Sequence, residues 1–200
     1  MFAALQALLN SVAVSFDLPI LDWIQAHMQC TFLDKAMPIV TLFGDGGVFW
    51  ILVAVALLFF AKYRKTGFSM GVALILGVVI CNIILKRQVA RIRPYDFQLQ
   101  EFGREITLLI SAQHDFSFPS GHTIASFEAC TVLMLHDKRL GIPATILAIL
   151  IAFSRLYLYV HYPTDVLVSV VLGILFGILG TLIVNAIYKK FVYKGKYIES

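Results

Sequence analysis

Apolar residues fall in long runs along this chain, and the polar residues gather at their ends. Val48–Ala61, Gly67–Leu85 and Val166–Ile187 carry no charge at all. Pro119–Leu135 is interrupted by Glu128 alone, and Gly141–Val160 has Arg155 near its end. Runs of about 20 apolar residues are the length a helix needs to cross a bilayer. None alternates polar with apolar positions, as the strands of a membrane barrel do. The pattern predicts an all-α integral membrane bundle with five clear transmembrane helices. The first run reaches full length when extended back through Asp45 toward Met37. Before it, Asp17, Asp22, His27, Asp34 and Lys35 recur among Leu, Ile, Trp and Phe. That reads as amphipathic helix lying at the membrane interface, with a sixth, poorly hydrophobic span as the alternative. The domains expected are an interfacial segment over 1–36, a membrane domain over 37–188 and a basic tail over 189–200.

Composition agrees. Of 200 residues, 60% are hydrophobic and 14% charged, against about 45–50% and about 25% in soluble domains. Cys30, Cys81 and Cys130 are too few and scattered for a disulfide framework. With no basic residue before Lys35, a cleaved signal peptide is not expected.

Charge placement predicts orientation. Lys62, Arg64 and Lys65, then Lys138 and Arg139, then Lys189, Lys190, Lys194 and Lys196 fall on one face if the spans alternate. The positive-inside rule makes that face cytoplasmic, the C-terminus with it. Lys86–Phe118 then lies on the opposite face. It is too apolar for simple disorder and reads as a partial lid on the membrane surface, with His114 and Asp115 solvated.

Three polar stretches carry chemistry. Lys86, Arg87, Arg91 and Arg93 directly follow a span. Arginine offers a fork that matches phosphate oxygens, and lysine a point charge. A cluster that merely binds anionic headgroups would look the same. Next, Pro119-Ser120-Gly121-His122 opens a span as a helix start, with free N–H groups that favour an anion. A capped helix with an interfacial histidine is the simpler alternative. Last, Ser154-Arg155-Leu-Tyr-Leu-Tyr-Val-His161-Tyr-Pro163-Thr-Asp165 joins two spans. Pro163 suits a first helical position. Asp165, about one turn after His161, can hold one imidazole nitrogen and leave the other free as a nucleophile. All three stretches emerge on one face. Separate structural explanations would not require that convergence, whereas a phosphoryl-transfer site would.

Lys86-x6-Arg93-Pro94, Pro119-Ser120-Gly121-His122 and Ser154-Arg155-x5-His161-x3-Asp165 together resemble the three-part signature of the type 2 phosphatidic acid phosphatase superfamily. The resemblance implies that His161 attacks phosphorus, that Asp165 orients it, and that His122 protonates the leaving oxygen and then activates water. Lys86, Arg93, Arg155, Ser120 and the Gly121 N–H would hold the phosphoryl oxygens. It implies no metal and no other cofactor. The partners implied are a lipid phosphate and the surrounding membrane lipids, with no nucleic acid. With small size and an outward-facing site, the habit of the family it resembles makes undecaprenyl diphosphate in a bacterial cell membrane the expected substrate. Phosphatidylglycerol phosphate or phosphatidic acid is the alternative, followed by a lipid phosphotransferase. A non-catalytic transporter would keep the cations without needing His161 and Asp165 in register.

Other residues read as structural. Glu128 points about 240° around the helix from His122 and is expected to hydrogen-bond another helix. Gly173, Gly177 and Gly180 suit close packing inside the bundle. Trp23, Trp50 and the tail tyrosines read as interface anchors.

Overall fold

The computed structural model describes residues 2–193, and Lys194 and Lys196 of the expected basic tail lie outside them. Among the described residues every regular element is helical. The first helix runs through α1 (Phe2–Val12), a π-helical turn (Ala13–Asp17) and α2 (Leu18–Met28). After α3 (Thr31–Leu42) the chain breaks at Gly46 and Gly47, both at positive φ, before α4 (Val48–Phe59). Next comes α5 (Arg64–Gly77), which passes through a π-helical stretch (Val78–Leu85) into α6 (Lys86–Val89). Then follow α7 (Pro94–Phe102), α8 (Gly121–His136), α9 (Lys138–Tyr157) and α10 (Pro163–Ile187).

Among the described residues five helical stretches are long and apolar enough to cross a membrane: Gln6–Met28, Thr31–Phe59, Ala61–Phe102, Lys138–Tyr157 and Pro163–Phe191. The membership differs from the sequence pattern. Gln6–Met28 qualifies, because its acidic residues are few enough for an apolar window. Pro119–Leu135 does not, because α8 has only 16 residues, about 24 Å of helix. This short helix is the centre of the bundle. It packs on α9, α10 and α5 and buries Thr123, Ser126, Phe127, Glu128, Ala129 and Val132. The outer helices turn Leu52, Ile75, Ile146, Val171 and Leu182 outward, as a lipid-facing surface requires.

Glycines set how tightly α10 lies on α8. A Cβ on Gly173 would come 2.7 Å from Phe127 Cβ and 2.9 Å from the Ile124 carbonyl oxygen. On Gly177 it would meet Thr131 Cβ at 2.7 Å and the Glu128 carbonyl oxygen at 2.9 Å. Gly180 presses on α5, where a Cβ would come 2.7 Å from the Ser69 carbonyl oxygen. The small-residue stripe is therefore spent inside the chain. Trp50 is also internal: it is buried, and its indole N–H donates to Ser126 Oγ at 3.0 Å. Its interior partner decides its place, which hydropathy alone assigned to the interface.

The helix contacts predict that Gly177→Ala overpacks the α8–α10 seam and costs about 1–3 kcal/mol. Gly71→Ala, where a Cβ meets nothing within 4 Å, is the matched control. Thermal unfolding of the purified protein in detergent checks this; equal midpoints for the two variants would contradict it.

Candidate active site

The carboxyl ends of the α5–α6 rod and of α9 and the amino ends of α8 and α10 meet at one end of the bundle. Each local turn follows from its residues. Ala90 adopts a left-handed φ of 47° at the end of α6 and turns the chain so that Arg91 and Arg93 point back inward. Ser120 stands at the N-cap of α8, so His122 lies on its first turn. Pro163 begins α10, and Asp165 at its third position accepts from the Tyr162 N–H at 3.2 Å. Tyr159, at φ 58°, reverses the chain between α9 and His161. A non-glycine residue in that region costs roughly 1–2 kcal/mol. Hydrogen bonds hold Tyr159 there: its hydroxyl donates to Asp22 and accepts from Gln98, each at 2.9 Å.

These turns enclose a cavity of about 590 Å³. Lys86, Arg93, Gly121, His122, Arg155 and His161 all line it. Arg93 donates to the Val160 carbonyl oxygen at 2.7 Å, and its Nη1 lies 3.3 Å from His161 Nε2. Arg155 is buried and donates to Thr41 Oγ1 at 2.5 Å, while its Nε has no partner. His122 Nε2 is 3.9 Å from Asp45. A Cβ on Gly44 would come 2.8 Å from the His122 ring, so glycine there lets the chain after α3 press against the imidazole. A second cavity of about 450 Å³ shares His122, Arg155, Asp45 and Gln113 with the first. The other two expected residues sit behind the cavity wall. Ser120 is fully buried; its N–H donates to Ser169 Oγ at 2.9 Å, and its hydroxyl accepts from Thr123 at 3.0 Å. Asp165 is fully buried beneath His161.

His161 and Asp165 do not touch directly: Nδ1 is 3.7 Å from the carboxylate. Ser117 stands between them. Its hydroxyl donates to Asp165 Oδ2 and lies 3.5 Å from His161 Nδ1. With the imidazole proton on Nδ1, facing this pair, the Nε2 lone pair faces the cavity. Burial, then the charges of Arg93, Arg155 and Lys86, hold the His161 pKa well below the ordinary value, so the ring is neutral at neutral pH.

Other residues sit where the sequence did not put them. Asp115 is an exposed loop residue, as expected, but it also pairs with both Lys86 and Arg93. Burial works against its charge, but the hydrogen bonds from Lys86 and Arg93 outweigh that and hold its pKa at about 2. Arg91 leaves the cavity altogether and is buried between Asp17 and Asp165. Glu128 lines the cavity, pressed onto Gly77 of α5, and its Oε1 is unpartnered. The cavity extends along α8 toward α5, so a residue on another helical face still reaches it. Only adjacency to the second motif pointed to Ser117 and Asp115. Among the described residues, no group of three or more His, Cys, Asp or Glu could hold a metal ion.

Known proteins resemble this chain in sequence and in fold. The model of the PAP2 superfamily matches residues 66–189. An undecaprenyl-diphosphatase of Sulfolobus acidocaldarius is 32% identical over 74% of this chain and 68% of its own length. The undecaprenyl-diphosphatase BcrC of Bacillus subtilis is 31% identical over 74% of this chain and 72% of its own. The crystal structure of a transmembrane PAP2-type phosphatidylglycerolphosphate phosphatase from Bacillus subtilis superposes with a TM-score of 0.70 and 26% identity. It covers 95% of this chain and 93% of that one.

Asp115 occupies two cations of the cavity wall, Lys86 and Arg93, with a carboxylate, and a phosphate bound to those cations would compete with it. Asp115→Asn removes that competitor. Ion pairs exposed on one side are worth about 0.2–1 kcal/mol each, about 0.4–2 kcal/mol for the two, so inhibition by inorganic phosphate is expected to strengthen roughly twofold to thirtyfold. An unchanged or weaker inhibition constant would show that Asp115 does not compete for this position.

Proposed function

The chain belongs to the PAP2 superfamily, and from that premise we propose that it is a membrane lipid-phosphate phosphatase with undecaprenyl diphosphate as its substrate. The observation that carries this is the Arg93 guanidinium 3.3 Å from His161 Nε2, in a cavity wall shared with Lys86, Arg155 and His122. The similarity to two undecaprenyl-diphosphatases supports the substrate.

In the first step His161 Nε2 attacks the terminal phosphorus. A P–N bond forms as the P–O bond to the lipid phosphate breaks, and His122 gives its proton to the leaving oxygen. In the second step His122 takes a proton from water, the resulting hydroxide attacks the phosphohistidine, and the P–N bond breaks to release inorganic phosphate. Lys86, Arg93 and Arg155 spread the developing charge on the phosphoryl oxygens, a term that grows in a water-poor site. The Gly121 N–H, at the free amino end of α8, adds a donor, and Ser120 fixes that helix start from behind. Asp165, through Ser117, keeps the His161 proton on Nδ1. The second reading, a phosphatidylglycerol phosphate phosphatase, is favoured by the structural likeness to such an enzyme.

The site faces the extracytoplasmic side in this reading. Lys62, Arg64, Lys65, Lys138, Arg139, Lys189 and Lys190 stand on the loops and helix ends of the opposite face, as the positive-inside rule asks of the cytoplasm. The first helix buries Asp17 against Arg91 and Thr164 at the site end of the bundle.

His161→Ala is expected to abolish phosphate release, by roughly 10³-fold or more, while the protein still inserts and purifies as wild type. Assay on a panel of undecaprenyl diphosphate, phosphatidylglycerol phosphate and phosphatidic acid should give the highest kcat/KM on the first. In sealed right-side-out vesicles the phosphate should appear outside without permeabilisation. Normal turnover by the variant would sink the nucleophile assignment; preference for another lipid would overturn the substrate; release only after permeabilisation would reverse the orientation.

Because the free enzyme's nucleophile must be unprotonated and the His161 pKa is lowered, the acid limb of kcat/KM assigned to it should lie below about 6.5, the unperturbed value. A His161-dependent limb above that value would contradict the electrostatic picture.

A further inference from the structure

Asp17 is fully buried and lies far outside residues 66–189, the stretch that matches the family model. A buried carboxylate is costly unless paired and hydrogen-bonded. Asp17 has three donors. Arg91 Nη2 reaches Oδ2 at 2.7 Å, the Thr164 N–H reaches Oδ1 at 2.9 Å, and the Thr164 hydroxyl reaches Oδ2 at 2.8 Å. None of these belongs to its own helix. The two Thr164 donors lie at the turn that carries His161, and Arg91 reaches in from the link between α6 and α7.

Arg91 passes the contact on. It is buried, its guanidinium stacks 3.7 Å above the Tyr162 ring, and its Nη1 donates to Asp165 Oδ1 at 2.6 Å and to Thr164 Oγ1 at 2.8 Å. One guanidinium thus bridges two carboxylates. From Asp165 the path continues through Ser117 to His161.

The charge balance of this row has a chemical consequence. Asp17, Arg91 and Asp165 together carry one negative charge. As His161 attacks phosphorus its imidazole becomes positive, and a net negative charge beneath it favours that change. With Asp17 neutral, Arg91 would be spent wholly on Asp165, and the row beneath His161 would carry no net charge. Asp17 also fixes Thr164, the residue before Asp165, and so sets where the carboxylate sits.

We propose that Asp17 is a positioning residue for phosphoryl transfer, acting through Arg91 and Thr164 on Asp165 and His161. The amino-terminal helix is then a working part of the site, over and above any role as an anchor. This rests on the phosphatase reading above.

Gln6, in the same amino-terminal stretch, supplies the control. It too is tied to a distant residue, donating to the Val89 carbonyl oxygen at 3.1 Å, but it touches neither the row beneath His161 nor Tyr159. D17N and Q6A are purified in detergent, and kcat, KM and thermal midpoint are measured on an isoprenyl diphosphate. D17N should lower kcat roughly tenfold to 10²-fold, the scale of a misplaced catalytic group, with KM within about twofold of wild type. Q6A should leave kcat within about twofold, the scatter of a substitution away from the chemistry, even where its midpoint falls. Should D17N fail to fold, T164V deletes only the hydroxyl that Asp17 and Arg91 share. It should lower kcat about threefold to tenfold, the worth of one hydrogen bond, again without moving KM. Unchanged kcat in D17N, or in T164V where that stands in, overturns the proposal. So does an equal kcat loss in Q6A. A folded wild-type chain that releases no phosphate from any lipid would instead sink the phosphatase reading, and this proposal with it.

Discussion

The cost of burying charge organises this molecule. Arg91, Arg93, Arg155, Asp17 and Asp165 are all nearly inaccessible to solvent. A buried ion is tolerated when opposite charges and hydrogen bonds replace its water, and those partners must come from elsewhere in the chain. Arg91 draws in the first helix and the start of α10. Arg93 draws in the Val160 carbonyl oxygen and the residues before α8. Elements far apart in sequence are therefore tied at one end of the bundle by ions that cannot be left alone. Arg155 is least compensated, with one hydroxyl partner and an unpartnered Nε. It lines the cavity, so an anion gains most there.

The parts of the site that were legible in the sequence are those whose meaning is local. Pro163 before Asp165, Ser120 before Gly121 and His122, and Arg155 at the end of an apolar run announce helix ends by their own chemistry. Their convergence followed from counting crossings. Even so, the direct His161–Asp165 contact that one-turn spacing suggested became a 3.7 Å separation bridged by Ser117. A serine 44 residues from His161 leaves no trace in the spacing of either motif.

What was illegible is the destination of polar residues whose partners are remote. Asp17 and Asp22 looked like the wet face of an interfacial helix, because polarity along a chain does not say whether water or another side chain will satisfy it. Here Arg91 satisfies Asp17 across 74 positions. Trp50 misled for the same reason, since an indole N–H is as well served by Ser126 as by a lipid headgroup. The fold class survived such misreadings because it rests on total apolar length.

Packing and chemistry meet on α10. Its glycines let it lie against α8 at backbone distance. On the same helix Ser169 accepts from the Ser120 N–H and donates to the Asp165 carbonyl oxygen at 2.6 Å. The start of α8, which carries His122, is thus bonded to the start of α10, which carries Asp165. Two groups that must serve one phosphorus atom from different helices need a fixed separation, because a displacement of about 1 Å already costs rate. A seam of side chains would leave that separation to rotamers. A seam of glycines makes it a property of two backbones, and the buried charges then have a rigid frame to work in.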